Sequence, residues 1–205
     1  MRRVLLAALG LALLTGCGVR DTAAAAPKLG VTSSTPTRAT IPPPVCSPEG
    51  IGFSIVGGDA AMGIRVLTVE MVNCGTRPYT VSGYPRLRLY DDEQRPIDVA
   101  VLHGSGDIAT VPGFDALPPE SITLQPGERA QSGLLWRNLL TDSDLNASKT
   151  AVRLDVAVAT DKPWQDVPVV MPNEVTGASP VTIDLGNTGR LGVEAWHRAS
   201  PQPGG

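Results

Sequence analysis

Ile51-Gly52-Phe53-Ser54-Ile55-Val56-Gly57-Gly58-Asp59-Ala60-Ala61-Met62-Gly63-Ile64-Arg65-Val66-Leu67-Thr68-Val69-Glu70-Met71-Val72-Asn73-Cys74 reads as two β-strands joined through a glycine-rich turn. From Ile64 to Asn73, Leu67, Val69 and Met71 fall on one side and Thr68 and Glu70 on the other, the period of two that a half-buried strand shows. Val66 and Val72 blur the second face. The run Ile51 to Val56 would pair with it across Gly57-Gly58 to Gly63. A hairpin symmetric about Ala60 sets Phe53 opposite Leu67, Ile51 opposite Val69, and Cys46 opposite Cys74. Alternation then puts both cysteines on the face away from Phe53 and Leu67, so a bridge between them would staple the less apolar side.

Outward from this hairpin the chain keeps to short strands and turns. Arg86 to Tyr90 points Leu87 and Leu89 one way, and the polar turn Asp91-Asp92-Glu93-Gln94 leads into Ile97 to Leu102, which predicts a second hairpin. Ser121 to Leu124, Ala130 to Trp136, Ala151 to Thr160, Val167 to Val170, Thr182 to Leu185 and Leu191 to Trp196 extend the series. The 22 glycines and 19 prolines, a fifth of the 205 residues, suit many turns between short strands. These features predict an all-β fold: an antiparallel immunoglobulin-like sandwich of about nine short strands, preceded by a signal peptide and a disordered linker. Cys46 and Cys74 lie too near in sequence to bridge two sheets as in antibody domains, so the likeness is one of architecture only.

The N-terminus carries export signals. Arg2 and Arg3 precede an apolar run from Val4 to Leu14, too short for the ~20 residues a bilayer span needs. Leu14-Thr15-Gly16-Cys17 resembles the bacterial lipobox. The resemblance implies diacylglycerol on the Cys17 thiol and cleavage between Gly16 and Cys17, with two acyl chains enough for stable anchoring. Lipidation of Cys17 would also remove the odd thiol among three cysteines, leaving Cys46 and Cys74 as a pair. A metal site or a reactive thiol is the alternative for that pair, and neighbouring ligands for either are lacking.

The expected organisation is therefore a signal peptide over 1–16, a lipidated tether rich in Pro, Ala and Thr over 17–45, a β-sandwich over 46–198 and a disordered tail over 199–205. The tether would reach on the order of 30 Å as a coil. Two of the 17 basic side chains leave with the leader, so 15 face 20 acidic ones. That balance disfavours nucleic acid, which needs clustered cations to displace phosphate counterions.

The stretch Val72-Asn73-Cys74-Gly75-Thr76-Arg77-Pro78-Tyr79-Thr80-Val81-Ser82-Gly83-Tyr84-Pro85, followed by Arg86-Leu87-Arg88-Leu89-Tyr90-Asp91, resembles the domain of unknown function 4232 family, lipoproteins of high-GC Gram-positive bacteria. Ile122-Thr123-Leu124-Gln125-Pro126-Gly127, Ala130 and Trp136 match its other hallmarks, and the resemblance spans roughly Cys46 to Trp196. Many relatives place a second cysteine just before Gly-Tyr-Pro, where this chain has Tyr79, so the Cys46–Cys74 pairing stands on the hairpin alone. The resemblance implies lipidation, export and a β-sandwich, and no activity.

Motifs for catalysis are sparse: the sequence contains no Gly-x-Ser-x-Gly, phosphate loop, His-Glu-x-x-His or Cys-x-x-Cys. His103, with Asp107 and Asp115 downstream, marks a long loop reaching to Glu120 and is the candidate binding loop. Ser105 beside them would permit a hydrolase, although a glycine-rich turn contains such residues anyway. His197, beside Trp196, is expected at the sandwich rim. Asp142, Asp144 and Asn146 lack the glycine and glutamate of a calcium loop, so no metal or cofactor is expected. The expected function is that of a noncatalytic binding or interaction domain, lipid-anchored to the cell membrane outside the cytoplasm, for an envelope protein, glycan or small ligand. A structural or assembly accessory of the envelope is the alternative, and a hydrolase a distant third.

Overall fold

The computed structural model describes residues 43–115, 118–141, 147–173, 175 and 177–199. The lipobox with Gly16 and Cys17, nearly all of the tether, and Asp142, Asp144 and Asn146 lie outside the described residues. Among the described residues there are fifteen strands and no α-helix. They are β1 (Ile51–Ala61), β2 (Ile64–Asn73), β3 (Tyr79–Val81), β4 (Arg86–Tyr90), β5 (Ala100–His103), β6 (Ile122–Leu124), β7 (Arg129–Arg137), β8 (Thr150–Ala151), β9 (Arg153–Ala157), β10 (Gln165–Pro168), β11 (Val170–Asn173), β12 (Gly177–Pro180), β13 (Ile183–Asp184), β14 (Arg190–Val193) and β15 (His197–Arg198). The excess over nine arises where single expected runs split, as 151–160 into β8 and β9, and from short strands such as β3 and β12 that no expected run covered.

The main sheet runs β1-β2-β7-β14-β5, with β15 also pairing β7. A second sheet runs β10-β9-β4. Phe53, Ile55, Leu67, Val69, Met71, Leu134 and Trp136 of the main sheet share one buried cluster with Leu87, Leu89, Leu154, Val156 and Val167 of the second. The layers form a β-sandwich, with period-two alternation turning apolar residues inward from both sheets. Trp196 locks one region of the core, stacking on Phe53 at 6.0 Å and donating its Nε1–H to Val158 O at 2.9 Å.

The β1–β2 hairpin exists, but its register is not centred on Ala60. Ile51 faces Asn73, Phe53 faces Met71 and Ile55 faces Val69. A bulge between Ile55 and Gly57 shifts the pairing by one, and Ala61 then faces Ile64 across the two-residue turn Met62-Gly63. Both turn residues have positive φ, 50° and 79°, the twist a tight hairpin demands. Gly57 and Gly58, expected in the turn, instead belong to β1.

The Cys46–Cys74 disulfide is present, with a Cα–Cα distance of 6.5 Å, and both residues are exposed. It is not a cross-strand bridge: Cys46 precedes β1 and is folded back by a turn in which the Gly50 N–H donates to Ser47 O. Gly50 O then accepts the N–H groups of Cys74 and Gly75. Gly50 has φ +81°, and a Cβ on it would fall 2.7 Å from the Gly75 Cα. Glycine is what lets the two segments approach closely enough to be bridged.

The second expected hairpin opens almost at once. Tyr90 bridges Pro96 and the Ile97 N–H donates to Leu89 O, but β5 then leaves β4 and pairs parallel with β14 in the main sheet. Continuing the hairpin would place Val101 opposite Pro85, which has no N–H to give to a ladder. The sandwich is thus mixed rather than wholly antiparallel.

Candidate functional site

Residues 104–115, between β5 and β6, fold onto the outer face of the main sheet. That face is hollowed by two glycines. A Cβ on Gly192 of β14 would fall 2.4 Å from Gly104 O, and one on Gly133 of β7 would fall 2.9 Å from Phe114 Cε2. Phe114 is buried here, and Leu135, which faces outward from β7, is wholly buried as well. The loop is therefore a packed cover with its own small apolar core.

Within it, Asp115 organises the turn after β5. Its Oδ1 and Oδ2 accept the Ser105 N–H at 3.0 and 3.2 Å, and Oδ2 accepts the Ser105 hydroxyl at 2.6 Å. No imidazole stands between that hydroxyl and the carboxylate. His103 stacks on Tyr84 instead, with centroids 3.8 Å apart and rings nearly parallel. Asp107 is exposed, and its carbonyl accepts the Arg190 Nη1–H at 3.0 Å. The structure thus joins Asp115 to Ser105 and leaves His103 and Asp107 in separate surroundings.

One carboxylate in this region was not singled out by sequence. Glu194 lies in the bulge between β14 and β15, where its N–H donates to Gly133 O and its Oε2 accepts the Gly133 N–H at 2.8 Å. Burial pushes its carboxyl above the ordinary 4.5; the Gly133 N–H and His197 offset part of the rise, and Asp115 adds to it. His197 pairs with Gln131 in the main sheet.

A recess lies elsewhere, near the tip of the β1–β2 hairpin. Gly58 to Ala60 and Arg65 to Leu67 form one side, Trp136 the floor, and Met171, Val181, Thr182 and Asp184 the other side, around a cavity volume of ≈ 590 Å³. Asp184 is the polar centre. It accepts the Trp136 Nε1–H at 2.9 Å and the Asn138 Nδ2–H, and Arg65 Nε lies 3.9 Å away. Gly58 permits a close approach here, because a Cβ there would fall 2.6 Å from Val66 O and 3.3 Å from Met171 Cε. Asn138 N–H also donates to Gly63 O, bringing the segment of exposed Leu139 and Leu140 alongside the tip that carries exposed Met62. The legible sign was Gly57-Gly58 itself, since glycine inside a strand marks a bulge or a close approach.

Asp91, Asp92 and Glu93 bring carboxylate oxygens within 4.8 Å of one another. Asp91 there accepts the N–H groups of Glu93 and Arg95 and the Arg95 Nε–H. These bonds account for the turn.

No curated protein and no solved structure shows significant similarity to the chain. The family model described as domain of unknown function (DUF4232) matches residues 46–197, from the first cysteine of the disulfide to the start of the last strand. Covering well over half of the chain, this match shows that the protein belongs to the domain of unknown function 4232 family.

Proposed function

We propose that the protein is a noncatalytic binding domain, held outside the cytoplasm on a lipid anchor at Cys17, whose envelope protein, glycan or small ligand seats in the recess around Asp184. The recess carries this reading. Its volume falls within the range typical of ligand sites, and it pairs apolar walls from Leu67, Trp136 and Met171 with a few held polar groups, Arg65 and Asp184. The anchor reading draws support from the disulfide, which uses Cys46 and Cys74 and leaves Cys17 as the third cysteine.

Photo-crosslinking in intact cells tests the site. A photoreactive side chain at Ala60, on the rim of the recess, should capture a discrete adduct that Arg65→Glu abolishes, while the same group at Gln125 captures none. Equal capture at both positions, or none at Ala60, would remove the recess as the binding surface. For the anchor, Cys17→Ser should abolish acyl labelling, and persistent labelling would overturn it.

A further inference from the structure

The β1–β2 turn carries a side chain that serves neither the turn nor the core. Met62 has φ +50°, a backbone conformation that glycine and asparagine take readily and a bulky residue rarely does. It is also 95% exposed, so no packing offsets that strain. Beside it the β2–β7 pairing, which runs Arg65 to Trp136 and Ile64 to Arg137, continues with the Asn138 N–H donating to Gly63 O at 3.0 Å. That bond sets Leu139 and Leu140, 42% and 43% exposed, next to Met62. Three of the six large apolar side chains left exposed among the described residues thus share one end of the hairpin. The segments that present them, 60–64 and 138–141, contain no charged residue, and Asp59 and Arg137 flank them. Gly63 O is already bonded, so the tip takes one less bare carbonyl out of water.

We propose that this tip dips into the surface of the bilayer that holds the Cys17 anchor, with Met62, Leu139 and Leu140 in the interface and Arg137 at the level of the headgroup phosphates. This contact rests on the anchor at Cys17 and is independent of the recess around Asp184. Shape favours lipid over a protein partner: the three side chains project from a convex end, which a fluid interface accommodates and a protein must match with a pocket. Distance favours it too. Pro44 lies against Gly52, where an added Cβ would fall 3.0 Å from the Pro44 Cβ. From Gly52 to Ala61 the strand climbs nine residues, about 30 Å at about 3.3 Å each. The 28 residues between Cys17 and Cys46 reach on the order of 30 Å as a coil. The anchor can therefore sit in the bilayer while the far end of the hairpin touches it, with little stretching of the tether. Three apolar side chains are too few to hold a free protein on lipid, but a tether makes the contact intramolecular and raises its effective concentration.

Line broadening by spin-labelled lipid tests the contact on the full chain, made without acylation, oxidised at Cys46–Cys74 and coupled through the Cys17 thiol to a maleimide phospholipid in phosphatidylcholine nanodiscs. The coupling supplies an anchor whether or not cells acylate Cys17, so acyl labelling of Cys17→Ser judges the anchor and the nanodisc judges the tip. Methionine methyl groups are the reporters. Met62 should broaden several-fold more than Met71, which is wholly buried and stands about 25 Å up the hairpin, with Met171, beside Gly58, in between. Met62→Asn with Leu139→Ser and Leu140→Ser should lower the Met171 broadening to that of Met71. Met62→Asn alone should leave the thermal midpoint unchanged or raised, because asparagine takes a positive φ more readily. Equal broadening of Met62 and Met71, stronger broadening of Met71, no broadening of either, or a midpoint lowered by Met62→Asn would each overturn the proposal.

Discussion

Asp115 grips Ser105 with both carboxylate oxygens, taking its backbone N–H and, at 2.6 Å, its hydroxyl. Ser105 is 2% exposed, so water cannot replace these bonds. Asp115→Ala should therefore cost about 1–3 kcal/mol, the penalty of a buried polar group left unpaired. A chain of this size loses about 2–4 °C of Tm per kcal/mol, which differential scanning calorimetry would resolve. Asp115→Asn, which keeps an acceptor, should cost less.

The seat of the same loop depends on glycine. Gly192→Ala would drive its Cβ to 2.4 Å from Gly104 O, a backbone atom that cannot swing aside. A loss of roughly 1–3 kcal/mol is expected, as for other overpacked sites, together with faster amide exchange across 104–115. Gly57→Ala is the control, since nothing lies within 4 Å of its added carbon and φ is not positive there. It should be neutral or slightly stabilising.

Glu194 makes stability pH-dependent with a definite sign. Its folded pKa is raised, chiefly by burial, so between the ordinary 4.5 and the folded value the native state holds more proton than the unfolded chain. Its contribution is fully present below 4.5 and is lost as pH rises through the folded pKa. Glu194→Gln keeps an oxygen acceptor for Gly133 N–H without the charge. The variant should gain stability relative to wild type at pH 7 to 8 and lose that advantage at pH 4, measured by denaturant midpoints across the range. An advantage that grew on acidification would refute the assignment.

Reducing the disulfide, or replacing it as Cys46→Ser with Cys74→Ser, should cost roughly 3 to 4 kcal/mol, the chain-entropy value for a loop with a sequence separation of 28. Both cysteines are exposed, so no core cavity contributes. The expected result is a lower urea midpoint with the native near-ultraviolet spectrum retained below it.

Much of the fold was legible because a strand with one buried face writes its period into the chain. Ile64–Asn73 and Arg86–Tyr90 appear with the bounds their alternation suggests. The register of β1 was not legible, because a bulge at Val56 and a turn at Met62-Gly63 move every pair without changing the hydrophobic pattern. The disulfide was anticipated correctly through a wrong register: parity of cysteines suggested it, whereas the Ser47 to Gly50 turn is what brings the thiols together. The site was less legible still. His103, Asp107 and Asp115 are neighbours in sequence and part company in space, whereas Arg65, Trp136 and Asp184 meet from three distant strands.

By itself the sequence determined that the chain is built of strands, roughly where many of them lie, and which family it belongs to. These follow from local periodicity, turn chemistry and residue composition, which act over a few residues. Tertiary structure decided that β5 leaves β4 for β14, that 104–115 is a cover and not an open loop, and that Glu194 is a half-buried carboxylate. Each of these depends on which surfaces meet: a proline with no N–H to offer, two glycines that clear a seat, and a bulge that sets an acid on the Gly133 N–H. Contacts between residues far apart in the chain leave no fixed spacing to read.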